Sequence, residues 1–189
     1  MTSAVRYTEQ DTPVRIQKAN GFALIDMIFV CGMIGLISSI AVPRLLMARQ
    51  SAGAASAVGT LRAINSSELS YAITCGNGFY SPNLTTLGVV PAGSTEAFIS
   101  PDLSAANTVS KSGYTITLTA QPFVGAPPTC NGLGADLTGR GYVAAADPQD
   151  PTNVRFFATN SVNVIWEDVS SLAATIPEAG DPPSGHPLQ

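Results

Sequence analysis

The stretch Lys18-Ala19-Asn20-Gly21-Phe22-Ala23-Leu24-Ile25-Asp26 leads directly into an uncharged apolar run from Met27 to Pro43. Asp26 is the only charged residue between Lys18 and Arg44. A carboxylate inside an apolar membrane segment costs roughly 2.5–3.5 kcal/mol. The charge of Asp26 therefore requires a partner of opposite sign or access to water.

Residues 22–47 are long enough to cross a bilayer, since about 20 helical residues at a rise of 1.5 Å span its hydrocarbon core. A cleavable secretory signal is the alternative, but its apolar region is usually shorter and ends in a small-residue cleavage site. Arg15 and Lys18 precede the run. Because inner loops carry an excess of basic residues, this end is predicted to be cytoplasmic and the C-terminal part to lie outside.

The junction at Gly21 resembles the processing site of type IV prepilins and the related pseudopilins. The shared pattern is a short polar leader with a basic residue, a glycine, Phe22, three hydrophobic residues, an acid and an apolar helix. The resemblance implies that a prepilin peptidase cleaves between Gly21 and Phe22 and that the new N-terminus at Phe22 is methylated. Family members usually carry glutamate where this chain has Asp26, and many carry a helix-bending proline where this chain has Pro43.

The role implied for Asp26 has a physical basis. Cleavage would create a charged amine at Phe22, which can form an assembly salt bridge with Asp26 of a neighbouring subunit, so that neither charge stays unpaired in an apolar medium. Asp26 would then set the register between subunits. The alternative is a carboxylate that snorkels to the level of the lipid headgroups.

A helical pattern runs from Phe22 to about Thr74 and is interrupted only by Pro43; a helix of that length extends roughly 80 Å. The pattern in the second half is amphipathic and predicts packing against a sheet. The apolar residues that define this pattern are Ala57, Leu61, Ile64, Leu69, Tyr71 and Ile73.

Strand patterns follow the helix. Residues 76–112 are rich in turn-forming residues and are predicted to be irregular, with at most a short helix near Leu84–Leu87. Tyr114–Ala120 alternates strictly between apolar and polar residues, which predicts a half-buried strand. The face that carries Tyr114, Ile116 and Leu118 should contact the helix. Further strands are predicted at 141–146, 154–158 and 162–166. The fold class is therefore α+β: a long N-terminal α-helix, with a hydrophobic and protruding first half, packed against a C-terminal antiparallel β-sheet. The pilin resemblance implies the same architecture.

These patterns, together with what the pilin resemblance implies, predict five consecutive parts. They are a cleaved leader (1–21), a hydrophobic transmembrane and assembly helix (22–47), an amphipathic helix that continues into the head (48–75), a globular head with an αβ-loop and an antiparallel sheet (76–175), and a proline-rich tail (176–189), expected to be a loose surface segment.

Cysteine positions agree with export. Cys75 lies at the predicted end of the helix and Cys130 in a connection rich in proline and glycine, so both belong to the part expected outside the membrane, where oxidation is possible. A disulfide between them is one interpretation and two free buried thiols the other. Cys31, inside the apolar helix, is most simply a small apolar residue.

Enzymatic chemistry has little support in the sequence. The single histidine, His186, lies in the proline-rich tail, which disfavours His-based catalytic or metal sites. Asp147 and Asp150 could bind calcium, but their Asp-Pro-Gln-Asp-Pro context is more typical of a rigid turn. Residues 69–189 carry three basic and nine acidic side chains, so nucleic acid is an unlikely partner.

The function predicted is that of a structural subunit, a type IV pilin that polymerises through its N-terminal helix into an extracellular filament for adhesion, motility or related surface functions. Its partners would be identical subunits, the prepilin peptidase and an inner-membrane assembly platform, with the inner membrane as its location before assembly. A type II secretion pseudopilin is the alternative within the family. A different class is a membrane-tethered extracytoplasmic ligand-binding domain, in which Trp166, Tyr80 and Tyr142 could form a sugar-stacking surface.

Overall fold

A computed structural model describes residues 22–188 of the chain, with side chains described from Leu24 onward. One long helix is followed by two single-turn helices and a six-stranded antiparallel sheet, which is an α+β arrangement. The chain divides into two units, the first ending at Leu45 and the second beginning at Leu46.

The helices are α1 (Phe22–Thr74), α2 (Leu84–Leu87) and α3 (Pro101–Ser104). The strands are β1 (Thr108–Lys111), β2 (Tyr114–Thr119), β3 (Val143–Pro148), β4 (Phe156–Asn160), β5 (Ile165–Asp168) and β6 (His186–Pro187). The order of strands in the sheet is the same as their order in the chain, and each neighbouring pair is antiparallel.

The predicted continuous helix from Phe22 is confirmed over the described residues, and its predicted end near Thr74 is confirmed. Pro43 lies within α1 and supplies no backbone N–H to the helix. Beyond Thr74 the backbone enters the left-handed region at Asn77 (φ +52°) and Gly78 (φ +90°). The Gly78 N–H donates to the Ala72 carbonyl at 2.8 Å, so a turn of this kind ends the helix and satisfies its last carbonyl groups.

A tight hairpin brings β1 and β2 against α1. Ser112 and Gly113 both have positive φ (+52° and +82°), the combination that a two-residue turn between twisted strands requires. A Cβ placed on Gly53 of α1 would lie 2.8 Å from the Ser112 carbonyl oxygen. Glycine at position 53 therefore permits the helix and the hairpin to approach this closely.

One stripe of α1 is buried against the sheet. Its buried apolar residues recur at spacings of three and four, apart from one gap of seven. They are Ala54, Ala57, Leu61, Ile64 and Tyr71, and Cys75, directly after the helix, continues the spacing. Tyr114, Ile116 and Leu118 belong to the same core cluster, as predicted.

The prediction that Leu69 and Ile73 join this packed face is wrong, since their side chains are 47% and 73% exposed. At 100° per residue, Ile73 lies half a turn around the helix from Ile64, and Leu69 is displaced from Ile64 by about 140°. Both residues therefore point away from the stripe.

The sheet has a second covered face. Its central positions there are Val143 and Ala145 of β3 and Ala158 of β4, which pack with Leu172 and Ile176 from the segment after β5. The centre of the sheet is consequently buried on both sides, and its outer face is covered by a chain segment without regular structure.

The segment from residue 176 lies largely at the surface, as expected, but it is not loose. Ile176 is 5% exposed, and the Asn160 side-chain amide donates to the carbonyl groups of Pro177 (2.9 Å) and Gly180 (2.7 Å). The Leu188 N–H donates to the Ile165 carbonyl at 2.8 Å. A side-chain donor of the sheet, Asn160, and a backbone donor of the segment, Leu188, therefore hold this segment against the sheet.

The reading of residues 76–112 as largely irregular is also wrong in part. The short helix near Leu84–Leu87 is confirmed as α2, with Asn83 as its N-cap: the Thr86 N–H donates to the Asn83 side chain at 2.9 Å. The same region also contains α3 and β1. The remaining predicted strands exist, with boundaries shifted by two or three residues toward the C-terminus.

The packing of α1 predicts different effects for two isoleucines of the same helix. We expect Ile64→Ala to lower the free energy of unfolding by about 2–5 kcal/mol, because Ile64 is fully buried and its removal leaves a cavity. Ile73→Ala is the matched control and should change it by less than about 0.5 kcal/mol. Urea unfolding of the full chain in detergent, followed by fluorescence of its single tryptophan, measures both. Equal effects would contradict the described orientation of the helix.

Candidate functional site

The first half of α1 presents an almost wholly apolar surface. Fifteen large apolar side chains between Leu24 and Met47 are each 48–72% exposed. By length and composition α1 is apolar enough to cross a membrane, and the window that meets this test contains no buried residue. Because water does not tolerate a continuous apolar surface of this size, lipid or other protein must cover this helix.

The single carboxylate of this segment lies close to the beginning of α1. The helix begins at Phe22, and Asp26 is four positions further on with an exposed side chain. Gly21 and the predicted leader, residues 1–21, lie outside the described residues.

A disulfide joins the end of α1 to the connection between β2 and β3. Cys75 and Cys130 are bonded with a separation of 55 residues, and the Cys130 N–H also donates to the Cys75 carbonyl. Of the two interpretations drawn from sequence, the structure contains the disulfide. Cys31 is a free cysteine with an exposed side chain on α1.

The disulfide predicts a measurable loss of stability when it is removed. A covalent loop of this length lowers the entropy of the unfolded chain and stabilises the fold by about 4 kcal/mol in the chain-entropy model. We expect the Cys75→Ser, Cys130→Ser double variant to lose up to this amount in urea unfolding. Cys31→Ser is the control and should match wild type. An unchanged unfolding midpoint in the double variant would show that the crosslink contributes nothing.

The three basic side chains of the predicted head each engage a local partner. Lys111 Nζ lies 2.6 Å from Asp102 Oδ2, and the hydrogen bond from Lys111 lowers the pKa of Asp102 to about 2. Arg155 binds Glu167 through two nitrogens, at 2.5 and 3.1 Å, and thereby lowers the pKa of the Glu167 carboxyl. The Arg140 guanidinium lies 4.0 Å from the centroid of the Phe123 ring. The acidic side chains in this part of the chain outnumber these three basic ones, so most of them have no basic side chain to pair with.

The three aromatic residues considered for a sugar-stacking surface are not brought together. Tyr142 is fully buried, and its ring centroid lies 5.0 Å from that of Tyr80 in the cluster that contacts α1. Trp166 packs with the separate cluster on the outer face of the sheet. The three rings therefore form no common surface; Tyr80 and Tyr142 pack in the core, and Trp166 packs on a face of the sheet.

The acidic residues considered for calcium make local hydrogen bonds. Asp150 accepts from the N–H and the hydroxyl of Thr152 at 2.9 and 2.7 Å, as expected for a side chain that stabilises a turn. Asp147 accepts from the Ser171 hydroxyl at 2.6 Å. Within residues 22–188, no group of three or more His, Cys, Asp or Glu side chains is arranged to hold a metal ion.

One acidic residue was missed by the sequence reading. Glu68 is fully buried on the same stripe of α1 as Leu61, Ile64 and Tyr71. Its signal was available, because the positions 57, 61, 64, 68, 71 and 75 alternate in steps of four and three. Charged residues are usually exposed, but the spacing of position 68 places it on the buried stripe.

No family model, curated protein or solved structure matches this chain. Its function is therefore inferred from its own residues and geometry.

Proposed function

We propose that this chain is a type IV pilin, a structural subunit that is cleaved between Gly21 and Phe22, methylated at Phe22, and polymerised through α1 into a filament on the bacterial cell surface. Before assembly the subunit would be held in the inner membrane by the helix that begins at Phe22. The observation that carries the proposal is the long, exposed apolar surface of α1, in which Asp26 is the only charged residue before Arg44.

The exposed surface of α1 supports a role in assembly. Full burial of one large apolar side chain contributes about 1.5–3 kcal/mol relative to water, so fifteen exposed ones represent a strong requirement for cover. Lipid satisfies that requirement before assembly, and the helices of other copies satisfy it within a filament. Lipid and helix surfaces are similarly apolar, so burial alone does not favour the filament over the membrane. Close packing between helices would supply that preference, and the glycines at 32 and 35 allow helices to approach closely.

Asp26 would give this packing its register. A carboxylate among apolar helices is strongly unfavourable unless a cation neutralises it, and the amine created at Phe22 of a neighbouring subunit is such a cation. A helix displaced along its neighbour by one turn would leave both charges unpaired. The pair would therefore penalise incorrect stagger more than it stabilises the correct one.

The second unit supports the role of a filament head. Residues from Leu46 onward contain a continuous core, a disulfide and a sheet covered on both faces. A unit with its own core remains folded whether the apolar half of α1 is in lipid or among other helices. The excess of acidic side chains would keep such heads soluble on the outside of a filament.

The proposal predicts the N-terminus of the mature protein. We expect protein sheared from the surface of its native cells to begin at Phe22 and to carry one added methyl group, as measured by intact mass and N-terminal sequencing. Gly21→Val should block cleavage because a larger side chain then occupies the position before the cut bond, and Gly59→Val is a control with open space around its Cα. A membrane-bound monomer that retains residues 1–21 would instead favour a tethered ligand-binding domain.

A second prediction concerns Asp26. Asp26→Ala should reduce recovered filaments at least tenfold, since the amine at Phe22 loses its partner, whereas Asp26→Glu should retain assembly because it keeps the charge. Filaments are counted by electron microscopy after shearing, and the total amount of subunit is measured by immunoblot. Glu96→Ala, a change of an exposed acid in the head, serves as the control. Wild-type filament numbers in Asp26→Ala would contradict the pairing role.

A further inference from the structure

Glu68 is a carboxyl group buried without a compensating charge. Its side chain is completely inaccessible to solvent. Oε2 accepts the backbone N–H of Ser81 at 2.9 Å, whereas Oε1 has no hydrogen-bond partner among the described protein groups. One carboxylate oxygen is thus engaged and the other is free to carry a proton.

The surroundings of Glu68 contain no cation. Within residues 22–188, no Lys, Arg or His side chain forms an ion pair with it. The titratable groups that interact with it electrostatically are the phenols of Tyr71, on the same helix, and Tyr142, just before β3. Both phenols are uncharged at neutral pH. In the part of the chain that the structure describes, the Ser81 N–H, from the segment after α1, is the only hydrogen-bond donor to the carboxyl group.

The contact that Glu68 makes is one of several hydrogen bonds that fasten this segment. Ser81 follows Tyr80, whose backbone N–H and C=O pair with those of Gly139 at 2.8 and 3.0 Å. The Ser81 hydroxyl in turn donates to the Asn83 carbonyl at 2.9 Å. A disturbance at Glu68 therefore reaches the chain between the end of α1 and α2, and the connection that contains Cys130.

We propose that Glu68 is a proton-dependent latch: in the folded head it is held as a neutral carboxylic acid that fastens α1 to the segment around Ser81, and its ionisation loosens that segment. An anion at this position would have no cation to neutralise it and only one donor to solvate it. Loosening the segment admits water to the carboxylate.

The sign of the pH dependence follows from the two states. Burial raises the pKa of Glu68 from 4.5 to about 8, against the smaller opposing effect of the Ser81 hydrogen bond. In the closed state the segment around Ser81 is fastened to Glu68, and in the open state it is loosened and Glu68 is in water. Between pH 4.5 and about 8 the closed state binds more protons than the open state, so raising the pH favours opening. The contribution of Glu68 is fully present below about pH 4.5 and is lost by about pH 8. The pKa values of Asp102 and Glu167 are lowered, so their contributions to stability have the opposite pH dependence: they are lost as the pH falls, and only in the acid range.

Hydrogen exchange of the full chain in detergent tests the latch. The protection of the Ser81 amide is measured from pH 5.5 to 7.5 in wild type and in Glu68→Gln, which is a neutral isostere of the protonated acid. Dividing the two at each pH removes the intrinsic pH dependence of exchange. We expect the ratio of wild-type to variant protection to fall about tenfold per pH unit. A ratio independent of pH would overturn the proposal.

Two further measurements make the result specific to Glu68. Glu96→Gln, at an exposed position of the head, should follow wild type across the range. The carboxyl carbon of Glu68 in the wild-type chain, observed by NMR, should titrate near pH 8. A titration midpoint near 4.5 would overturn the proposal even if Glu68→Gln failed to fold.

Discussion

Burial of one stripe of α1 against the sheet is the constraint on which the second unit of this protein depends. Leu61 and Ile64 meet the inward residues of β2, and Gly53 lets the β1–β2 hairpin approach the helix backbone. The strands on their own are short, and a sheet of short strands requires a covered face for stability. The helix supplies that cover, and the disulfide at Cys75 fixes its end to the chain that links β2 and β3.

The two halves of α1 solve different physical problems with the same secondary structure. In the second half apolar residues form a stripe, so that only one side of the helix needs to be covered. In the first half they surround the helix, as is typical of a helix in lipid or in the centre of a bundle. The proposed assembly function uses this difference, because one half can exchange its environment while the other keeps its packing.

Local signals account for most of what the sequence predicted correctly. The C-terminal end of α1, the alternation in β2 and the helix at Leu84–Leu87 each depend on residues that are close together in the sequence. The missed elements depend on distant partners. β1 contains one apolar residue, Val109, and exists through pairing with β2, while β6 has only two residues and is defined by β5. Propensity alone does not identify strands of this kind.

The residues of the candidate sites also differ in whether they could be found from local sequence or depend on distant partners. The Gly21-Phe22 junction and Asp26 were identified from a short pattern, but in the proposed filament the partner of Asp26 belongs to another molecule, so the single chain carries half of that contact. Glu68 was overlooked because its burial arises from the helix stripe and from a segment thirteen residues away. Its identity as an acid gave no indication of its environment.

The fastened C-terminal segment determines where this protein tolerates redesign. A chain cut after Thr175 would lose Ile176, the hydrogen bonds to Asn160 and the strand that covers the edge of β5, and it would present an apolar sheet face and an unpaired strand edge. The side chain of Val124 has the opposite character, since it is 84% exposed, whereas the backbone on both sides of it is held by hydrogen bonds from Phe123 to Thr138 and from Gly125 to Asp136. A fluorescent label therefore belongs on this side chain rather than as an insertion in the loop, and residues 176–188 are best left intact.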